Sequence, residues 1–244
     1  MNKFILLLFC IISAASSLGQ KVIAKKKSFI PVQFENTANG QKIVLNDSIY
    51  SNAFGEKYRL SKLKYYISNL SFTTAKKVKQ NKNVSLINAA GDQSVKVEKP
   101  LLPVTGIEFW VGVDSILNCS GAQSGALDPL NDMFWTWNTG YVMFKLEGTA
   151  DSSKADLQRL EQHIGGYKGE FKTMRKIFIP IDKKYFTDKK RGSDKMVINV
   201  NLDKYWNGKN RIRIREQPMI TTIGNAAKDA ADNFEGMFSV KTTD

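Results

Sequence analysis

The chain has 244 residues, with 36 Lys and Arg against 23 Asp and Glu and a formal charge of +13. Beyond its N-terminus no apolar run approaches the ~20 residues that a membrane-spanning helix needs, which argues against a helical membrane protein. The basic residues are dispersed (Lys25–Lys27, Lys76/Lys77, Lys183/Lys184, Lys189–Arg191) and sit beside turns, as a solvated surface does, which argues against nucleic acid as partner.

The first residues read as an export signal. Lys3 supplies a positive start, Phe4 to Ile12 is an unbroken apolar run, and Ser13 to Gly19 is small and polar. Ser17 and Gly19 fit the −3 and −1 positions of a cleavage site before Gln20. Cys10 lies inside the apolar run behind bulky Phe9, which does not suit lipidation. The expected organisation is therefore a signal over 1–19, a lead-in over 20–28 and one domain over 29–244. Losing Lys3 takes the charge from +13 to +12, and losing Cys10 leaves one of two cysteines, Cys119. One cysteine makes no internal disulfide, so stability must come from the core.

Short alternating segments follow. Ile30, Val32 and Phe34 share one face of a strand. Tyr58 to Phe72 reads as one long, bulged strand; Val84–Ile87, Thr105–Val113, Tyr141–Leu146, Lys176–Ile181 and Met196–Leu202 read as further strands. Arg211 to Arg215 (RIRIR) alternates strictly and is expected to be a strand with one charged face. Asn39-Gly40, Gly91-Asp92 and Asn207-Gly208 mark turns. Many short strands with turns between them predict an all-β fold, a single antiparallel β-sandwich with at most one or two short helices. Asn225–Asn233 is the best helix. Ser153–His163 is ambiguous: a capping pattern with Leu157, Leu160 and Ile164 favours helix, because a strand would place Gln158 and Gln162 on the apolar face.

Between the strands ending near Val113 and starting near Tyr141 lies a loop of more than twenty residues. Such loops in compact domains are usually functional or disordered. Met133, Phe134, Trp135 and Trp137 give this one heavy apolar anchoring, so the 114–138 loop is expected to be an ordered binding element. Asp114, Ser115, Asn118, Asp128 and Asp132 gather oxygen groups in the same stretch. Calcium favours such ligands, but the spacing matches no EF-hand, and turn formation competes with it. No nucleophile elbow, zincin helix or phosphate loop is present, so the chain is not expected to be an enzyme.

The ordered series Leu63-Lys-Tyr-Tyr-Ile-Ser-Asn69, Gly112-Val-Asp-Ser115, Gly125-Ala-Leu-Asp-Pro129, Met133-Phe-Trp-Thr-Trp137, Gly140-Tyr141, Leu146-Glu-Gly148 and His163-Ile-Gly-Gly166 resembles the MbnP-like family of exported, β-rich proteins. The resemblance runs from about Phe29 to Phe238. It implies a β-sandwich in the periplasm or on the cell surface that handles copper. It also implies a tryptophan, here Trp135 or Trp137, oxidised to kynurenine by a di-haem peroxidase-like partner. His163 stands where the family has a histidine ending a strand, which shifts the 153–163 segment toward strand and makes His163 the candidate metal ligand. Met133, Asp114, Asn118, Asp128 and Tyr141 are the further candidate site-lining residues. The chain departs from the family in lacking a histidine in Val32-Gln-Phe-Glu-Asn36, and His163 is its only histidine. Copper(I) prefers several imidazole, thioether or thiolate ligands. The alternative expectation is therefore a metal-free interaction module that keeps the fold.

Overall fold

Alternation sets the architecture from the first strand. In β1 (Phe29–Ala38) every second residue, from Ile30 through Val32, Phe34 and Asn36 to Ala38, is buried. The computed structural model describes residues 28–74, 83–99, 103–121, 123–136, 139–182, 185 and 195–241; the expected export signal, most of the expected lead-in and Trp137 lie outside these. After β1 come β2 (Gln41–Lys42), β3 (Ile49–Ser51), β4 (Lys57–Thr74), β5 (Val84–Asn88), β6 (Ser94–Glu98) and β7 (Val104–Val111). A short α1 (Ser115–Cys119) precedes β8 (Phe134–Thr136), β9 (Gly140–Ala150), β10 (Arg159–Gly165), β11 (Arg175–Pro180) and β12 (Met196–Asn201). The chain ends with α2 (Asp203–Trp206), β13 (Met219–Ile220), α3 (Asn225–Asp232), α4 (Phe234–Met237) and β14 (Phe238–Val240).

Two sheets face each other. One runs β14-β12-β1-β2 with β6 also on β1; the other runs β11-β7-β4-β9-β10-β13, with β3 and β5 on β4 and β8 on β9. The expected sandwich is what forms, but its pairing is mixed: β1 pairs β12 in parallel, as β10 pairs β13. Between the sheets lies an aromatic core in which Phe34 meets Tyr65 and Phe109 edge-on, while Phe144 stacks on Tyr65 and Tyr205. Such pairs add roughly 0.5–1.5 kcal/mol each beyond their burial. The α-helices have four to eight residues, and among the described residues no helix is long and apolar enough to cross a membrane.

Strand β4 is the scaffold's spine. Its register slips between Leu60 and Lys62 and between Ser68 and Ser71, and Asn69 takes a left-handed φ of 55°. Bulges of this kind let one strand serve several partners. The bulge at 60–62 leaves Lys62 and Lys64 on the same outer face.

Two sequence expectations change. RIRIR is not a ladder strand; only Arg211 makes an isolated bridge, to Asn207. Ile212 and Ile214 do turn into the core, but a carboxylate takes the place of a partner strand. Buried Glu56 accepts from the Ile214 and Arg215 amides at 2.8 and 3.0 Å and from Asn52 at 2.6 Å. Burial would raise the Glu56 pKa, yet the bonds from Asn52, Arg215 and Ile214 hold it below the usual carboxylate range. The 153–163 segment, which local pattern alone favoured as helix, divides, and from Arg159 it is the strand that the family resemblance implies. Asp156–Gln158 is a 3-10 turn, with Leu157 left-handed (φ 57°) and 87% exposed, and β10 begins at Arg159. Gln162, the polar residue that weighed against a strand, is fully buried and satisfied. It donates to the carbonyls of Gln217 and Pro218 and accepts from the Tyr205 hydroxyl at 2.9 Å.

Candidate functional site: a cap strapped to a charged sheet face

The described residues of 114–136 fold into a cap on the outer face of the β4-β9-β10 sheet, and their polar side chains build it. Asp114 caps α1 by accepting from the Leu117 amide at 2.9 Å. Asn118 is buried; its amide donates to the carbonyls of Val113 and Asp114, and its oxygen accepts from the Tyr141 amide at 2.8 Å. Gly140 is required here, because at φ 75° a Cβ would stand 2.2 Å from that Asn118 oxygen. Asp128 caps a second 3-10 turn by accepting from the Leu130 amide. The Tyr141 hydroxyl donates to the Leu127 carbonyl at 2.7 Å.

Under the cap lies a second, smaller core of Tyr66, Val113, Leu127, Met133, Tyr141, Val142, Met143 and Tyr167, with Phe134 and Trp135 packed against it. Trp135 is placed by an absent side chain: a Cβ on Gly165 would lie 2.5 Å from its ring. Its indole thus covers β10 two residues beyond His163. Burial pushes the Tyr141 phenol above its ordinary pKa.

Beside this core the sheet face is charged. Cross-strand register sets Lys62 opposite Glu147, and Lys64 opposite Lys145, which is in turn opposite His163. Like charges directly opposite are destabilising, and the cap supplies the missing anion. Asp132, left-handed at the end of its turn, accepts from Lys62 at 2.6 Å and Lys145 at 2.9 Å. Glu147 meets the same two ammonium groups at 2.9 and 3.5 Å. The result is a closed ring, Lys62–Asp132–Lys145–Glu147, in which each charge touches two of the opposite sign. Lys64 donates to the Asn131 carbonyl at 2.9 Å, and His163 Nε2 pairs with Glu147 Oε1 at 2.8 Å. The Lys145 side chain is only 6% exposed and that of His163 15%. The His163 bond and the lysines pull the Glu147 pKa down to about 2. Burial opposes the same shift in Asp132, but bonds from Lys62 and Lys145 still lower it. Desolvation and its lysine neighbours push the Lys64 pKa below its ordinary value.

Of the candidates named from sequence, His163 and Trp135 come onto one stretch of β10, and Met133 and Tyr141 into the core beneath the cap. Asp114, Asn118 and Asp128 are instead spent on caps and loop bonds, and Asp132 on lysines, so these oxygens form no common cage for calcium. Sequence reasoning missed Lys62, Lys64, Lys145 and Glu147. The available signal was the outward alternation of Lys62 with Lys64 and of Lys145 with Glu147 on two strands that pair.

Copper does not fit the described residues around His163. Its Nε2 is committed to Glu147, and both Glu147 oxygens face ammonium groups. Three lysines against two carboxylates leave the surroundings positive. The Met143 sulfur accepts from the Val113 amide at 3.1 Å inside the second core, and Cys119 is exposed at the end of α1. Among the described residues no three His, Cys, Asp or Glu side chains are grouped to hold a metal ion.

A family model described as MbnP matches residues 27–223. Among solved structures the fold is similar to that titled MbnP from Methylosinus trichosporium. The TM-score is 0.55 and the identity 14%, over 77% of this chain and 80% of that one. No curated protein matches the chain. The family match covers well over half the sequence, including β4, the cap and His163: the chain is a member of the MbnP family.

Proposed function

We propose that the chain is an exported, non-enzymatic binding protein of the MbnP family that uses its cap as the recognition element and works without copper at His163. The observation that carries this reading is the ion ring. A cation entering at His163 would have to displace lysine ammonium groups that already neutralise Asp132 and Glu147, at a centre where the net charge repels it. The N-terminal signal pattern supports export to the periplasm or cell surface. The cap is held from below by the second core and an ion ring, so it suits presentation of a preformed surface rather than folding around a ligand.

One observation favours a second reading, copper handling with an oxidised tryptophan. Trp135 lies over Gly165, two residues from His163, so an oxidised ring and the imidazole would be neighbours. In that reading a di-haem peroxidase-like partner would reach Trp135, or Trp137 in the same stretch. Protein isolated from a copper-supplied native host separates the two. Metal analysis should find no stoichiometric copper, equally in wild type and His163→Ala, and peptide mass spectrometry over Asn131–Lys145 should find unmodified tryptophan. About one copper per chain that disappears in His163→Ala, with kynurenine at Trp135 or Trp137, would overturn the metal-free reading.

A further inference from the structure

We infer that Arg213 and Arg215 form an oxyanion site, one that takes a phosphate group carried by a small molecule or by a lipid headgroup. The inference goes beyond the cap-based reading and does not depend on it. It starts from the RIRIR stretch, which pairs with no ladder strand and yet is firmly fixed. Ile212 and Ile214 are buried in the core, while the side chains of Arg213 and Arg215 are 38% and 57% exposed. The backbone between them is pinned on both sides. The Ile214 and Arg215 amides donate to Glu56, and the Arg213 carbonyl accepts from the Glu216 and Gln217 amides at 3.1 and 2.9 Å.

The side chains are anchored as well, and by one loop. Phe54 and Glu56 stand two residues apart between β3 and β4. The Arg213 guanidinium carbon lies over the Phe54 ring, 4.4 Å from its centre, and Arg215 Nε donates to Glu56 at 3.2 Å. Arg213 thus spends one face of its plane on the protein, and Arg215 its Nε edge. Glu216 approaches Arg213 only through Nε, at 3.8 Å, which is too long for a hydrogen bond. Among the described residues no hydrogen bond or ion pair engages the terminal Nη groups of either arginine. The Glu56 charge is already shared with Asn52 and two amides, so it neutralises the neighbouring guanidiniums only in part. Two forks held in place before any ligand arrives lose little entropy on binding. A planar fork matches phosphate oxygens two at a time, as an ammonium cannot. A carboxylate has oxygens for one fork; a phosphate has enough for two, and its double charge answers two arginines.

Two probes test the site and separate its ligand sources. Inorganic phosphate is titrated into the purified wild-type protein at physiological ionic strength, and the Nε–Hε signals of Arg213 and Arg215 are followed by ¹H–¹⁵N NMR. The same protein is sedimented with phosphatidylcholine vesicles, with and without phosphatidic acid. Shifts of both arginine signals that saturate together assign a soluble phosphate. Sedimentation that requires phosphatidic acid, without a saturable shift in free phosphate, assigns a lipid headgroup. In either arm Arg213→Lys/Arg215→Lys keeps the charge and loses the forks, and it should weaken binding at least about tenfold. Arg215 also serves Glu56, so Arg213→Lys alone is read by the same criterion should the double variant lose its cooperative unfolding transition. Binding in neither arm, equal sedimentation with vesicles lacking phosphatidic acid, or a folded lysine variant that binds as tightly as wild type would each overturn the inference.

Discussion

Glu147 is the residue on which the charged face turns. It is the one carboxylate in the ring that comes from the sheet itself, it touches both lysines, and it orients His163. Its folded pKa of about 2 lies below the ordinary 4.5. A depressed carboxylate adds stability that is complete above the unfolded value and fades as pH falls through the folded one. The contribution should thus hold at neutral pH and disappear between about pH 4.5 and 2, amounting to on the order of 3 kcal/mol at 1.36 kcal/mol per pH unit. Glu147→Gln should therefore be less stable than wild type at pH 7, and the difference should close toward pH 2. Urea unfolding at pH 7, 5, 4 and 3 checks this; a constant difference across the series would contradict it. The residue was visible in the sequence as the Glu of Leu146-Glu-Gly148, but its role was not, because its partners Lys62 and His163 lie 85 positions upstream on β4 and 16 positions downstream on β10.

At the scale of elements, the long strand, the cap and the short C-terminal helices were legible to different degrees. The β1 strand could be read from alternation because it packs one face on the core, and β4 from its aromatic and apolar run, which is buried on both faces from Tyr65 to Ser68. The cap could be recognised from its length and its aromatic residues, and its Asp and Asn residues proved to be turn formers, as their chemistry allows. RIRIR could not be read correctly, since alternation records burial and not what satisfies the amides. That task fell to Glu56, from a segment some 160 residues earlier. Glu56→Gln keeps shape and one acceptor but removes the charge that binds two amides and the Arg215 guanidinium at 3.2 Å. A loss of about 2–4 kcal/mol is expected, since hydrogen bonds to buried charged groups exceed neutral ones and their removal leaves partners unpaired. Amide exchange at Ile214 and Arg215 should rise well above that of the β4–β9 ladder. Unchanged protection there would show that the segment is held by its isoleucines alone.

At the scale of the whole molecule, the sandwich separates two tasks. The inner core of Phe34, Tyr65, Phe144 and Tyr205 sets stability, while the outer face of β4, β9 and β10 carries the cap and all the charged residues around His163. The fold is shared with a solved structure at 14% identity. The motif series was enough to identify the family from sequence. The lysine ring was not, since it exists only once β4, β9 and the cap are brought together. The central claim is that His163 belongs to that ring and not to a copper site, and the chain's composition offers a direct test. His163 is the only histidine, so its imidazole signals in a ¹H–¹⁵N NMR spectrum are unambiguous. On addition of one equivalent of copper(I) under anaerobic conditions they should stay in place, with Nε2 still bonded to Glu147. A stoichiometric shift of the Nε2 resonance, saturating at one copper per chain, would contradict the account.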